Sequence, residues 1–477
     1  MSSSRAVDTG IPSDQWRKVH GASPLLNAGS AIIVLMAFVL LRNLDTWRTA
    51  IEDGWFEQWG IIQIVTIAAA AVLAIAALVA LASWISWRKT SFALTGEAFW
   101  YRSGVLFRTQ KHALLERVQS VDITYPFVPR LLGLGKIRIG VAGTSDLTFG
   151  YLKRSDLEKL RAEILARAAG VEEEAEAPEN IIYSVSWPVL LAATLFRFES
   201  FTFVIAAVAS ITSTIVVFAL SGDSWGFLIA TPTSIAFLAP VFAMFARDFG
   251  FTTALSPDGI RVRNGLFEHR AQTIPPRRIH AVRISQPFIW RIFGWYRVNI
   301  VQAQSSAESM STTTLLPVGS LSDALLALWL VIPDLGVENR DAFLESALRG
   351  FGPGQGFTTN PNRSKWMDPL EWKRRGASLT KTCLVIRGGR LRRRATFVPY
   401  ARVQSLGVRD GLMQRLFRVF TLSAHIVPGV FTANVLHMEP QMAASTLAAL
   451  TKETRVSRQI EPPERWMLRV EEALADD

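Results

Sequence analysis

The chain holds one cysteine, Cys383, in 477 residues, so no disulfide forms within it and a redox or metal role has no second thiol. Its place in the apolar run Cys383-Leu384-Val385-Ile386 suits a small core residue. Histidine is scarce as well. His20, His112, His269, His280, His425 and His437 contain no i, i+4 pair, which argues against a zinc site. No GxxxxGK[ST] loop occurs and nothing resembles a nucleophile elbow. Gly133-Leu134-Gly135 runs on into Lys136-Ile137-Arg138 without a third glycine and leads into a strand pattern, not the helix a nucleotide loop needs. The expectation is a non-enzymatic protein with no cofactor and no metal. Ionisable residues are also missing from four apolar stretches, 25–41, 60–85, 201–220 and 225–246. Each is close to the roughly 20 residues that cross a bilayer core. Transport paths usually place polar or charged groups at that depth, so these stretches read as anchors.

What is present is an unusual mixture: 49% hydrophobic residues, fifteen Trp and a net charge of +11. Trp47, Trp55, Trp59, Trp84, Trp87 and Trp225 stand at or just beyond the ends of the apolar stretches, where indoles favour the headgroup layer. Arg5, Arg17 and Lys18 precede the first stretch and Arg88-Lys89 follow the second. Basic residues mark the cytoplasmic side, so both pairs are expected as hairpins with their tips outside and both termini in the cytoplasm. Residues 181–199 carry Trp187-Pro188 and end in Arg197 and Glu199, which suits a helix lying in the interface.

Three stretches share one frame. They begin GVLFRTQKHALLERVQSV at Gly104, GLFEHRAQTIPPRRIHAV at Gly265 and GRLRRRATFVPYARVQSL at Gly389. An arginine stands thirteen residues after each glycine (Arg117, Arg278, Arg402) and another thirteen further on (Arg130, Arg291, Arg415). A bulky apolar pair follows: Leu131-Leu132, Ile292-Phe293 and Leu416-Phe417. Self-similarity of this kind means one small domain used three times. In each copy alternating segments flank the glycine, as in Ile260–Arg263 before Asn264-Gly265, and predict a hairpin. Val118–Ile123, Lys136–Val141 and Arg297–Gln302 predict further strands. A helix closes each copy: the first capped by Ser155 in an S-x-x-E box with Glu158, the second over Leu321–Leu330, the third over Gln441–Leu450. A residue retained in copies whose surfaces differ suits a structural role, which is assigned to the repeated glycines and arginines.

Charge concentrates in the third copy. Residues 363–418 hold fifteen Arg or Lys against three acids, a net +12 that leaves the remainder of the chain near neutral. Arg390, Arg392, Arg393 and Arg394 crowd one hairpin. They are the candidate site for anionic lipid or an acidic partner, since a basic surface beneath an anionic leaflet gains about 1 kcal/mol per well-placed cation. No nucleic-acid reading motif accompanies them, so none is expected as a partner.

The glycine turn, the RVQSV segment from Arg117 and the arginine followed by Leu131-Leu132-Gly133 resemble the bacterial pleckstrin-homology-like (PH-like) membrane proteins of the YdbT type. In the third copy Arg418 stands where the late glycine would be. The resemblance implies an α+β integral membrane protein: transmembrane helical hairpins plus three PH-like antiparallel β barrels or sandwiches, each with a C-terminal helix. It also implies residence in the bacterial inner membrane and assembly with a shorter paralogue carrying one span pair and one such domain; the small residues Ala68–Ala71 would equally suit self-association. The resemblance implies architecture more than function. The tethered repeats, the inert spans and the basic hairpin lead to the expectation of a non-enzymatic scaffold that binds proteins or anionic lipid headgroups at the membrane surface, in envelope maintenance, with an accessory subunit of a transporter or channel as the alternative. The expected divisions are a leader 1–24, hairpin 25–85, PH-like domain 90–170, acidic linker 171–180, interfacial helix 181–199, hairpin 200–246, PH-like domains 250–333 and 366–452 joined by a linker 334–365, and a tail 453–477.

Overall fold

The computed structural model describes residues 12, 15–23, 26, 61–104, 109–115, 118–141, 147–169, 180–221, 225–256, 259–302, 313–427, 429 and 431–460. Arg117, residues 27–60 with Trp47, Trp55 and Trp59, and the connector 171–179 fall outside this set. The chain divides into two compact units, Met1–Glu176 and Ala177–Asp477.

In the first unit, β1 (Arg17–Lys18), β2 (Ser91–Leu94), β3 (Ala98–Ser103) and β4 (Thr109–Leu114) form an antiparallel sheet in that order. A 28-residue helix, α1 (Ile61–Arg88), precedes β2. The chain then forms β5 (Val118–Tyr125), the short α2 (Phe127–Leu131), β6 (Leu134–Val141), β7 (Leu147–Lys153) and α3 (Arg154–Ala169). Strands β5, β6 and β7 make an antiparallel meander. Phe92, Phe99 and Ala113 from the first sheet meet Val121, Ile137 and Ile139 from the meander. Leu157, Leu160 and Ile164 of α3 close the same core, a spacing that keeps them on one helix face. Burying each of these larger aliphatics contributes roughly 2 kcal/mol. The expected S-x-x-E cap does not form. The helix starts at Arg154, which puts Ser155 inside the first turn, and the Glu158 carboxylate accepts from Arg154 at 3.2 Å instead.

The second unit begins with β8 (Asn180–Ser184), α4 (Trp187–Leu195), α5 (Phe198–Ser221) and α6 (Trp225–Asp248). The helix expected over 181–199 is present in α4 but shorter, because the segment opens as a strand: β8 pairs with β9 (Thr252–Ser256), and Ile181, Ile182 and Tyr183 complete a sheet edge. Tyr183 is buried and donates to the Leu315 carbonyl at 2.6 Å. Helices α5 and α6 pack along one another, with Ser234 donating to Ser210 at 3.1 Å. Among the described residues one helix is long and apolar enough to cross a membrane, α5 over Phe198–Leu220. Two transmembrane hairpins are not supported; residues 61–85 and 225–246 are helical in α1 and α6.

The second repeat comprises β9, β10 (Gly259–Asn264) and β11 (His269–Ile274), then β12 (Ile279–Pro287), β13 (Tyr296–Gln302), β14 (Thr313–Gly319) and α7 (Leu321–Trp329). Helix α7 carries the capping box that α3 lacks, between Ser320 and Asp323. The third repeat comprises β15 (Gly376–Leu379), β16 (Cys383–Gly388) and β17 (Arg392–Pro399), then β18 (Ser405–Arg409), the short α9 (Leu412–Leu416), β19 (Phe420–His425), β20 (Ala433–Met438) and α10 (Pro440–Ile460). Here the closing helix runs ten residues past Leu450, through the start of the expected tail.

The two repeats are fused. Strand β12 pairs antiparallel with β17, giving one six-stranded sheet in the order β14-β13-β12-β17-β16-β15. One core crosses the seam, joining Val282, Ile284 and Val298 to Cys383, Val385 and Phe397. The segment 334–365, expected as a linker, contains α8 (Arg340–Leu348), whose Phe343, Leu344, Ala347 and Leu348 are buried in that core.

The repeat glycines do what a tight turn requires. Gly104, Gly265 and Gly389 have φ of 105°, 113° and 78°, a region open chiefly to glycine. A Cβ would collide with the Glu268 carbonyl at Gly265 and with the Arg392 carbonyl at Gly389.

Candidate functional site

The cations of the third repeat separate into three groups. Arg374 and Arg387 are internal. Arg374 donates to the carbonyls of Ala347 at 3.2 Å and Leu348 at 2.6 Å, and also to Gly350. Arg387 donates to the Ser346 carbonyl at 3.1 Å and lies 4.3 Å over the Phe357 ring. Together they satisfy the orphan carbonyls at the C-terminus of α8 and oppose its negative dipole end. Burial pushes Arg374 down to about 9 and Arg387 down to about 10, so both remain charged at neutral pH.

A second group is paired at the surface. Arg375 binds Glu371 at 2.9 Å and also Asp368; Arg363 binds Glu439 at 3.3 Å, and Arg415 binds Asp410 at 3.0 Å. Of the four candidate arginines, Arg394 belongs here through Glu371 at 3.0 Å. It lines a polar cleft of about 340 Å³ with Arg283, Arg375 and Arg387. Arg283 donates to Thr396 at 2.8 Å and lies 3.9 Å over Phe431. Burial, then the like charges of Arg394 and Arg392, push its guanidinium down to about 9.

The third group faces α5 and α6. Arg392 reaches Glu199 in the first turn of α5 at 3.3 Å. With Arg197, Arg247, Arg297 and the apolar Phe203, Pro240 and Met244, it lines a cavity of about 390 Å³ at the end of the helix pair. Four guanidiniums share two carboxylates there. Glu199 takes Arg197 at 3.0 Å and Arg392, while Asp248 takes Arg247 at 3.2 Å and Arg297 at 3.4 Å. Arg297 is buried and held by Thr314 at 3.0 Å and Asn299 at 3.2 Å. Burial pushes it down to about 10, Asp248 opposes that shift, and Arg197, Arg247 and Arg392 add to it. The cavity therefore combines surplus positive charge with apolar side chains from the ends of two helices.

The four arginines picked out in the sequence thus go to different places. Arg390 is exposed and its carbonyl accepts from Arg291; Arg393 is half-buried. Only Arg392 reaches the cavity. Arg197, Arg247 and Arg297 escaped sequence reading because they sit one or two at a time among apolar residues and gather only when α5, α6 and β13 converge. Arg197 and Arg247, at the two helix ends, were the available signal.

The second arginine of each repeat stands on a short helical turn whose apolar neighbours are exposed. Leu131 beside Arg130 is 73% exposed, Ile292 beside Arg291 78%, and Leu416 beside Arg415 73%. Three repeats thus present apolar tips studded with arginine, a combination suited to a bilayer interface. In the second repeat the tip adjoins the helices: Trp290 donates to the Ala193 carbonyl of α4 at 3.1 Å, and Phe293 stacks on Phe196 at 5.5 Å. The glycine turn does the same, with Phe267 against Phe242 of α6 at 5.8 Å. Of the first arginines, Arg278 is partly buried and lowered to about 10 by burial. The Arg402 carbonyl lies 3.4 Å from His280 Nδ1.

Of the tryptophans expected at a membrane border, Trp84 is exposed with Arg88 4.1 Å over its ring. Trp87 instead donates to the Val19 carbonyl at 3.0 Å, inside the first unit.

The sequence model of the family described as Bacterial PH domain matches residues 30–168, 189–326 and 364–448. The first two matches open well before β2 and β9, so their unit includes the apolar stretch ahead of the strands; the third opens just before β15. No curated protein matches the chain.

Proposed function

Because the chain belongs to the bacterial PH domain family, we propose that it is a non-enzymatic, membrane-anchored scaffold, in the manner of the YdbT type, that holds its PH-like repeats against the inner face of a bacterial inner membrane. Repeated domains of this family commonly mediate protein or lipid binding, and the lipid reading is favoured by the cavity of Arg197, Arg247, Arg297 and Arg392 at the end of α5 and α6. An anionic phospholipid headgroup fits it: a phosphate would take the surplus guanidinium charge, while Phe203, Pro240 and Met244 face the glycerol and acyl chains. Basic pockets beside membrane helices on the cytoplasmic side favour such headgroups. Each exposed apolar tip, around Arg130, Arg291 or Arg415, would rest in a membrane interface.

The full-length protein, purified in detergent and reconstituted in nanodiscs of phosphatidylglycerol and phosphatidylcholine, tests this by native mass spectrometry. The wild type is expected to retain phosphatidylglycerol selectively. The double variant Arg247→Gln, Arg392→Gln is expected to lose roughly thirtyfold in that selectivity, as removing two phosphate-facing cations at about 1 kcal/mol each implies. Equal retention by both proteins overturns the headgroup site, and recovery of the chain from the soluble fraction of cells overturns the anchor.

A further inference from the structure

We propose that the β18 edge of one chain takes the β4 edge of a second copy as its antiparallel neighbour, so that copies associate head to tail. This is independent of the lipid reading. The precedent lies inside the second unit. Strand β12, which follows the 3-10 turn Pro276–Arg278, pairs with β17 through Val282–Phe397, Ile284–Ala395 and Gln286–Arg393. Strand β18 follows the matching turn Tyr400–Arg402, so it is the third repeat's counterpart of β12. Strand β4 is the first repeat's counterpart of β17, since each follows its repeat glycine, Gly104 or Gly389, in the same frame.

Both counterparts are open. Among the described residues β18 pairs with β19 alone and β4 with β3 alone, each at the margin of its sheet. The consequence shows in burial. Strand β12, covered by β17, has only buried and half-buried residues. In β18, Ser405, Val408 and Arg409 are exposed, and in β4 so are Thr109, Gln110, Lys111 and His112. Several other margins are met by backbone: β1 covers β2, β8 covers β9, the Thr358 amide donates to Ala377 of β15 at 2.8 Å, and the His20 amide donates to Tyr151 of β7 at 2.8 Å. The margins at β14 and β20 are met by side chains, with Tyr183 donating to the Leu315 carbonyl at 2.6 Å and Asn360 to the Leu436 carbonyl at 3.1 Å. A bare margin is a template for another strand, and this chain carries one of each complementary kind. Joining unlike surfaces produces chains or rings instead of a two-fold dimer. Carrying the β12–β17 register over, where Ser285 faces Arg394 and Arg283 faces Thr396, sets Arg409 opposite Thr109 and Gly407 opposite Lys111.

That register gives the experiment. Two differently tagged full-length copies are co-expressed, one with Arg409→Cys and the other with Thr109→Cys, and cells are oxidised with copper phenanthroline. The native Cys383 is buried and does not interfere. A disulfide-linked heterodimer is expected, at least fivefold above the pair Arg409→Cys with Leu114→Cys, whose cysteines would lie about 17 Å apart along the strand. Equal yields from the two pairs, or no heterodimer from either, overturn the pairing. A dimer formed by Arg409→Cys alone overturns the β4 occupant, because it means β18 meets β18.

Discussion

Arg418 shows how the repeat constrains single residues. It stands twenty-nine residues after its repeat glycine, where the other copies have Gly133 and Gly294, and all three are left-handed, with φ of 49°, 69° and 65°. A side chain in that region costs about 1 kcal/mol, partly offset because glycine loses more chain entropy on folding. Arg418→Gly is therefore expected to stabilise the protein by roughly 0.5 kcal/mol, measurable as a higher urea midpoint. Histidine sets a pH dependence at the same scale. His280 is held below its ordinary range by burial, with the Arg402 charge adding to the shift; His437 is lowered by burial and by Arg375. Below pH 6.5 the unfolded chain then binds more protons than the folded one, so stability falls as pH drops through that value. Unfolding midpoints measured between about pH 7.5 and pH 5 are expected to decline, and His280→Gln is expected to flatten part of the decline. Cys383 is inert for a related reason: burial pushes its thiol up to about 11.

At the scale of elements, α8 is the clearest case of a segment whose place depends on side chains far away in sequence. Its residues are apolar on one face, but its docking depends on the Arg374 and Arg387 guanidiniums at its C-terminal carbonyls. Removing Arg374 leaves several buried carbonyls without donors, and charged hydrogen bonds contribute about 2 kcal/mol each. Arg374→Ala is expected to destabilise the second unit by about 3 kcal/mol. Arg374→Lys is expected to rescue little, because an ammonium cannot span the same fork of acceptors; denaturant titration of the three proteins checks both. The sequence showed these two arginines only as part of a basic run. Their internal role was hidden because the carbonyls they serve lie about thirty residues upstream, in a stretch rich in Gly and Pro that reads as a connector.

For the whole molecule, the shared sheet decides what a domain is. The second and third repeats look separable in sequence, but β12–β17 and a common core make them one folding unit. Phe397→Ala, in the third repeat, is expected to cost about 4 kcal/mol and to lower a single melting transition for both repeats. Calorimetry of a 177–477 fragment showing two separate transitions, with only one displaced, would contradict this. The same fusion dictates that lipid and partner tests use the full chain and not the third repeat alone.

By itself the sequence determined the repeat, the glycine turns, the strands around them and the closing helices. All of these depend on residues a few positions apart, where φ limits and alternation act directly. The apolar tips were legible as apolar pairs, although not as exposed ones. Only the tertiary structure decided that residues 180–184 complete a sheet, that two repeats share a core and that Arg392 joins Arg197, Arg247 and Arg297. Charge and burial at a point in space sum over every segment that arrives there, and no local pattern records that sum.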